Sequence, residues 1–371
     1  MSKEEKKVKK NKKKRTPVQK AIRVIAIILV VLIIVLAGVA LAGWMYIRSL
    51  IDKTQKIDID VSQLEVNEEL KGYRNIALLG IDSRSSNVED AYSVGNRSDC
   101  IMIASINQET NDVKLISVYR DSYLKINNSS GNEIIDKVTH AYAYGGPQNT
   151  LKALNRNLDL NITEFMAANF DAVSEAVDAL GGVEIEITSA ELKYINGYID
   201  EINKVTGKSA SHVTSAGKQT LSGVQATAYG RIRYTAGGDY KRTERMRDVL
   251  QAMLAKAKKL SVTQLLDFAN KILPLVSTNL STDDVIALAP TISKLNISNS
   301  TGWPYTVAGA TIGGVWYGVP TTLESNVVKL HKEIFNEEDY VLPDKIKSIS
   351  QEVINKSGKT EGSGAETNSS K

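Results

Sequence analysis

The sequence predicts an α/β fold: a single mixed-sheet α-β-α extracellular domain behind one N-terminal transmembrane helix. Three observations carry that expectation. An uncharged run at 24–47, rich in Ile, Val and Leu, is long enough to cross a hydrocarbon core of about 30 Å. Apolar, strand-like runs at 75–81, 100–106 and 113–119 are followed by amphipathic helical patterns. No linker-like stretch interrupts residues 73–343, so they read as one domain.

The chain has 371 residues and a net charge of +4, and its basic excess is local. Residues 1–23 hold nine lysines and two arginines against Glu4 and Glu5. Placed before an apolar span, they orient a short cytoplasmic tail and send everything after residue 50 outside, with Trp44 and Tyr46 at the outer interface. Ala40-Leu41-Ala42 resembles a signal-peptide cleavage triplet, but the apolar run exceeds the usual length of about 7–15 residues. A basic arm of about twenty residues without a recognition helix cannot read bases, so no nucleic-acid partner is expected. Residues 48–72 read as a polar stalk with a short strand at 57–61, and residues 344–371 as a disordered tail rich in Ser, Gly, Lys and Glu. The one cysteine, Cys100, excludes a disulfide and reads as a buried thiol. His140, His212 and His331 lack the spacing of zinc ligands.

Within the domain, the strand at 75–81 ends at Asp82-Ser83-Arg84, and Arg97-Ser98-Asp99 opens the next one. The strand at 113–119 stops at Arg120-Asp121-Ser122. Chemistry in open α/β sheets gathers where strand ends meet loops, so these acids and arginines are candidates to share a crevice. Residues 137–146 read as a helix end closed by glycines, 149–158 and 171–180 as helices, and 183–187 as an alternating strand. Residues 191–220 look polar and loop-rich. Helices follow at 262–272 and at 283–295, the second bent at Pro290, then strands within 306–317 and a helix at 322–335.

The chain is organised around Tyr229 to Arg247. Alternation along 229–234 would put Tyr229, Arg231 and Arg233 on one face of a strand. Gly237-Gly238 breaks it, and a helix with Arg242 and Arg245 in its first turns follows. Planar guanidinium groups match phosphate oxygens in pairs, so this stretch reads as an anion site. Aspartates beside it could hold a hard cation, and magnesium suits such a site because phosphates supply its remaining ligands. The combination points to phosphoryl transfer, yet there is neither a Walker loop nor a kinase glycine loop. Outside a membrane, a phosphorylated lipid is the available donor.

Six blocks in order, 75–84, 97–99, 117–122, 137–146, 180–183 and 229–247, resemble the LytR-CpsA-Psr family of Gram-positive bacteria. The resemblance implies a membrane-anchored phosphotransferase that moves a glycopolymer from undecaprenyl pyrophosphate to peptidoglycan through a phosphodiester. The lipid tail would lie in a hydrophobic tunnel, and the pyrophosphate at an arginine cluster with Mg2+. It implies Asp82 and Asp99 as metal ligands and Arg120 and Asp121 as catalytic residues, Asp121 as base for the acceptor hydroxyl. Pyrophosphate ligands would be Arg84, Arg120, Arg231, Arg233, Arg242 and Arg245. Met246 stands where the family usually has glutamine, Tyr119 where it often has proline, and Ser122 where it has threonine. Two alternatives use the same residues: a non-catalytic sensor of polyprenyl pyrophosphate, favoured by Met246, and a phosphatase that gives the phosphoryl group to water. The polymer, whether teichoic acid, capsule or a rhamnose-type polysaccharide, is not encoded in any readable motif.

Overall fold

The computed structural model describes residues 41–50, 52–83, 88–284 and 294–367. The expected cytoplasmic tail, most of the expected span, Arg84 and most of the helix expected at 283–295, Pro290 included, lie outside the described residues. Residues up to Ser49 form a unit of their own. It is helical from residue 41, with the Arg48 guanidinium 5.3 Å from the Trp44 ring. Among the described residues, no helix is long and apolar enough to cross a membrane.

The second unit runs β1 (Gln55–Lys56), β2 (Tyr73–Asp82), β3 (Arg97–Asn107), β4 (Asp112–Val118), β5 (Tyr123–Asn127), β6 (Glu133–Lys137), α1 (Thr139–Leu158), β7 (Glu164–Asn169), α2 (Phe170–Ala179), β8 (Val183–Ile187) and α3 (Ser189–Thr206). It continues through β9 (Gly217–Leu221), α4 (Gly223–Arg231), α5 (Gly238–Ala257), α6 (Val262–Ile272), β10 (Val276–Thr278), β11 (Asn296–Trp303), β12 (Thr306–Ile312), β13 (Val315–Pro320), α7 (Leu323–Phe335), α8 (Asp344–Ser357) and β14 (Ala365–Glu366).

Seven strands form one mixed sheet in the order β1-β10-β7-β2-β3-β4-β11. The β2, β3 and β4 strands pair antiparallel, while β7 and β11 join the flanks in parallel. Because side chains alternate across a strand, Ala77, Leu79 and Ile81 of β2 join Ile101 and Ile103 of β3 on one face. They are buried there against Leu151 and Leu154 of α1, Leu330 of α7 and Ile349 of α8. Leu78, Ala104 and Leu115 face the other way, toward Leu250 of α5. Helices therefore cover both faces, the α-β-α layering expected from the strand and helix patterns.

Several local expectations are corrected. The stretch 48–72 is no free stalk: β1 pairs in parallel with β10, and Leu64 and Leu70 lie in the main core. The glycine-closed helix end expected within 137–146 does hold: Gly145 and Gly146 have non-helical backbone angles and divide α1 into two helical parts. Residues 191–220 are mostly the helix α3, whose Ile195, Ile199 and Ile202 recur at helical spacing and are buried. The segment after Lys345 is ordered as α8, which buries Ile346, Ile349 and Val353. Ile349→Ala is therefore expected to cost about 2–5 kcal/mol of stability, measured by chemical denaturation of the full chain. Unchanged stability would return this segment to being a dispensable tail.

Candidate functional site

The β2–β3 ladder breaks at the site. Gly80 pairs with Cys100, but the next residue, Ile81, pairs with Ser98, so Asp99 is the extra residue of a β-bulge. Bulges turn a side chain out of its normal alternation. A Cβ at position 80 would lie 2.7 Å from the Cys100 Cβ, so a glycine is needed opposite.

Asp99 is 6 % exposed, and arginines from three parts of the chain converge on it. Arg120 donates to Oδ2 at 2.6 Å and Arg233 at 3.4 Å, and the Arg242 Nη1 lies 3.7 Å away. Arg242 also donates to the Asp99 carbonyl at 3.3 Å. A second carboxylate, Asp239 in the first turn of α5, pairs with Arg242 at 2.9 Å, Arg120 at 3.7 Å and Arg233 at 4.0 Å. Three guanidinium groups thus share two carboxylates, and buried Nε atoms of Arg120 and Arg242 have no hydrogen-bond partner. Such donors are costly to bury unless a ligand satisfies them. Burial pulls the pKa of Arg242 below its ordinary value, with Arg120 and Arg233 adding to the effect against Asp239 and Asp99. Burial also acts to lower that of Arg120, but Asp99, Asp239 and Asp121 together hold it above the ordinary value.

A polar pocket of about 260 Å3 opens over this cluster, lined among others by Asp82, Asp99, Arg231, Arg233, Arg242 and Met246. Asp82 and Asp99 therefore reach one cavity despite the loop between them. Their fit to a hard cation is good in kind: all the arginine contacts to the Asp99 carboxylate fall on Oδ2, and Asp82 has no ion pair among the described residues. Among the described residues, however, no group of three or more ligating side chains forms a complete cage. Two carboxylates suit magnesium bound partly through phosphate.

Other site residues fall elsewhere than their sequence pattern suggests. Tyr229 to Arg231 is not a strand; it is the end of α4, which begins with Ser222 and Gln225 as a capping box. Tyr229 is buried, its hydroxyl 3.3 Å from Asp248. Arg231 does face the pocket, 5.2 Å from the Phe170 ring and bonded to Glu201 at 3.1 Å. Arg245, expected as a pyrophosphate ligand, is turned away. It donates to Glu191 at 2.7 Å, to the Ile232 carbonyl at 2.9 Å and to the Thr235 hydroxyl at 2.5 Å, clamping the loop that carries Arg233. Removing one partner of a buried pair leaves the other charge uncompensated, so Arg245→Ala should cost about 3–5 kcal/mol of stability. Denaturation of the variant checks this; a normal midpoint with lost ligand binding would restore the contact role. Neither Arg120 nor Asp121 lines the pocket: Arg120 reaches it only through Asp99, and Asp121 lies 2.7 Å from Lys137 and 3.5 Å from Arg120. Lys137 and Asp239 escaped the sequence reading. The only signal for Asp239 was its place three residues before Arg242, just after the glycine pair.

Beside the pocket, between the sheet and helices α2, α4, α5 and α6, lies an apolar cavity of about 350 Å3. Leu78, Met102, Ala172, Met246, Val249 and Met253 are among its walls. Burial pushes the thiol of Cys100, also on the wall, up to about 12, which leaves it protonated and inert. Met246 and Phe170 line both spaces, so the residue in glutamine's place forms part of an apolar sill between them.

An arginine pocket thus opens beside an apolar cavity in a mixed α/β sheet. The chain belongs to the LytR_cpsA_psr family, whose model matches residues 44–333. It is 34% identical over 239 residues to the polyisoprenyl-teichoic acid–peptidoglycan teichoic acid transferase TagT of Bacillus subtilis, covering 63% of this chain and 70% of that protein. It is 30% identical over 251 residues to the TagU transferase of Enterococcus faecalis, covering 67% and 74%. Among solved structures, TagT bound to LIIa-WTA is 26% identical with a TM-score of 0.51, covering 81% of this chain and 94% of that one. A protein from Streptococcus agalactiae is 25% identical with a TM-score of 0.60, covering 74% and 92%.

Proposed function

We propose that this chain is a membrane-anchored phosphotransferase that moves a glycopolymer from a polyprenyl pyrophosphate carrier to peptidoglycan. The observation that carries it is the junction at Met246, where the pocket lined by Arg242, whose buried Nε has no partner, meets an apolar cavity. Arg120, Arg233 and Arg242 would hold the pyrophosphate, Arg231 would close its edge, and the lipid chain would enter the apolar cavity. In the transfer, the acceptor oxygen bonds to the sugar-side phosphorus, the bond from that phosphorus to the bridging oxygen breaks, and polyprenyl phosphate leaves with the electron pair. The hydroxyl proton passes to Asp121, which Lys137 and Arg120 orient. Asp82 and Asp99 would hold Mg2+, which would neutralise charge on the phosphates. The charge-free run at 24–47 and the basic tail support an anchor that holds the domain on the outer face of the cell membrane. Teichoic acid, the polymer that the related transferases are named for, is the first to test, followed by capsule-type chains.

The test is a transfer assay with the full-length chain in detergent, a lipid-linked glycopolymer and peptidoglycan oligomers. Polyprenyl phosphate release that requires the oligomers, with polymer joined to them, is the expected result. Release to water alone would mean a phosphatase, and binding without release a sensor. Asp82→Ala should abolish the magnesium dependence; if the dependence survives intact, the metal assignment is wrong.

A further inference from the structure

A second cleft, of about 830 Å3, lies between α5 and the β12–β13 hairpin. Its wall includes Tyr119 and Tyr240, packed edge to face with centroids 4.5 Å apart. Tyr119 precedes Arg120 and Tyr240 follows Asp239, so the pair adjoins residues of the arginine cluster along the chain.

Arg247 lines the cleft, and nothing in the pyrophosphate pocket uses it. It is 8 % exposed, its Nη1 has no hydrogen-bond partner, and it forms no ion pair among the described residues. Of the acids on the cleft wall, Glu244 binds Lys241 at 2.7 Å and Glu333 pairs with Lys329 at 3.7 Å, while Glu366 lines it as well; Asp248, next to Arg247 in the chain, accepts from Tyr229 at 3.3 Å. A buried guanidinium without a partner is expensive, and a carboxylate is the ligand that matches its planar fork. On the opposite side of the cleft Trp316 is 46 % exposed. Its indole nitrogen lies 3.0 Å from where a Cβ of Gly309 would sit, so the bare glycine lets the ring lie against the hairpin. An exposed aromatic face beside a fixed charge suits a ring with an apolar face and an anionic substituent.

We propose that this cleft is the acceptor subsite, taking a glycan strand that carries carboxylates. Arg247 grips a carboxylate and Trp316 stacks on a sugar ring. The assignment rests on the phosphotransferase reading and adds a place for the second substrate. The hairpin is tied to the loop of the proposed base: the Gly318 N–H donates to the Asp121 carbonyl at 3.0 Å, and Ser122 bridges to Gly318. In this proposal a strand seated here would present its hydroxyl groups toward the segment that carries Asp121.

The test is calorimetric binding of a lipid-free disaccharide-peptide fragment of peptidoglycan to the full-length chain in detergent. Amidating the fragment's carboxylates, or making Arg247→Met, should each weaken binding by at least about tenfold, the scale of a charge-assisted contact. Trp316→Ala should weaken it severalfold. Donor binding should stay unchanged in all cases, and Arg247→Met should not lower the melting temperature, because it replaces an unpaired buried charge with an apolar chain of similar length. Equal binding of the amidated and native fragments, or no binding by the wild type, overturns the proposal. If Arg247→Met does not fold, the amidated fragment and the surface variant Trp316→Ala still decide it. Competition by lipid-free donor polymer would assign the cleft to the donor chain and overturn the acceptor role. Transfer that persists without fragment binding rejects the cleft and keeps the transferase. Arg247-dependent binding without any transfer rejects the transferase and keeps a glycan site.

Discussion

Arg242→Ala is expected to lower polymer transfer by at least about a hundredfold, the scale seen when a preorganised donor to a developing oxyanion is removed. Arg242 is 2 % exposed and reaches both Asp99 and Asp239, so its loss removes one ligand donor and also leaves two carboxylates short of a cation. Those carboxylates would then repel the incoming pyrophosphate. Arg231→Ala, at the pocket edge and already paired with Glu201, should cost about tenfold, nearer the worth of a single charge-assisted contact. Release of polyprenyl phosphate by the full-length variants, set beside their thermal unfolding, is the measurement. Near-normal turnover of a folded Arg242→Ala protein would remove the arginine cluster from the mechanism.

Ala172→Phe should act on the other half of the site. Ala172 is 1 % exposed and lines the apolar cavity, so a phenyl ring there occupies space the lipid chain would take. Excluding one isoprene unit forfeits about 3–4 kcal/mol at roughly 0.8 kcal/mol for each buried carbon group. The KM for a long-chain donor should therefore rise at least a hundredfold or so, while a short, water-soluble isoprenoid donor is turned over as by the wild type. Equal losses on both donors would mean that the cavity does not hold the chain.

The central strands and their polar ends were legible because each apolar run is long, and acid and arginine repeat where the runs stop. The end of α4 was not. Six residues from Tyr229 to Tyr234 alternate well enough to suit a strand, and only the capping residues Ser222 and Gln225 upstream point to a helix. In α3 and α8 the buried isoleucines were present at helical spacing, but a polar composition hid them. Arg245 illustrates a different limit. Its chemistry suits phosphate as well as that of Arg242 does, and only Glu191, 54 positions away in the chain, draws it to structural work. The likeness of arginines in sequence says nothing of which carboxylate each will meet.

The bulge at Asp99 makes the site depend on counting as well as on chemistry. The acid reaches the arginines because β3 carries one residue more than β2 between Ser98 and Cys100. Deleting a single position there would leave the arginines and Asp82 in place, yet bring the two strands back into step and erase the outlier they converge on. Insertions and deletions in this short interval are thus a stricter constraint on the arginine end of the sheet than most substitutions around it.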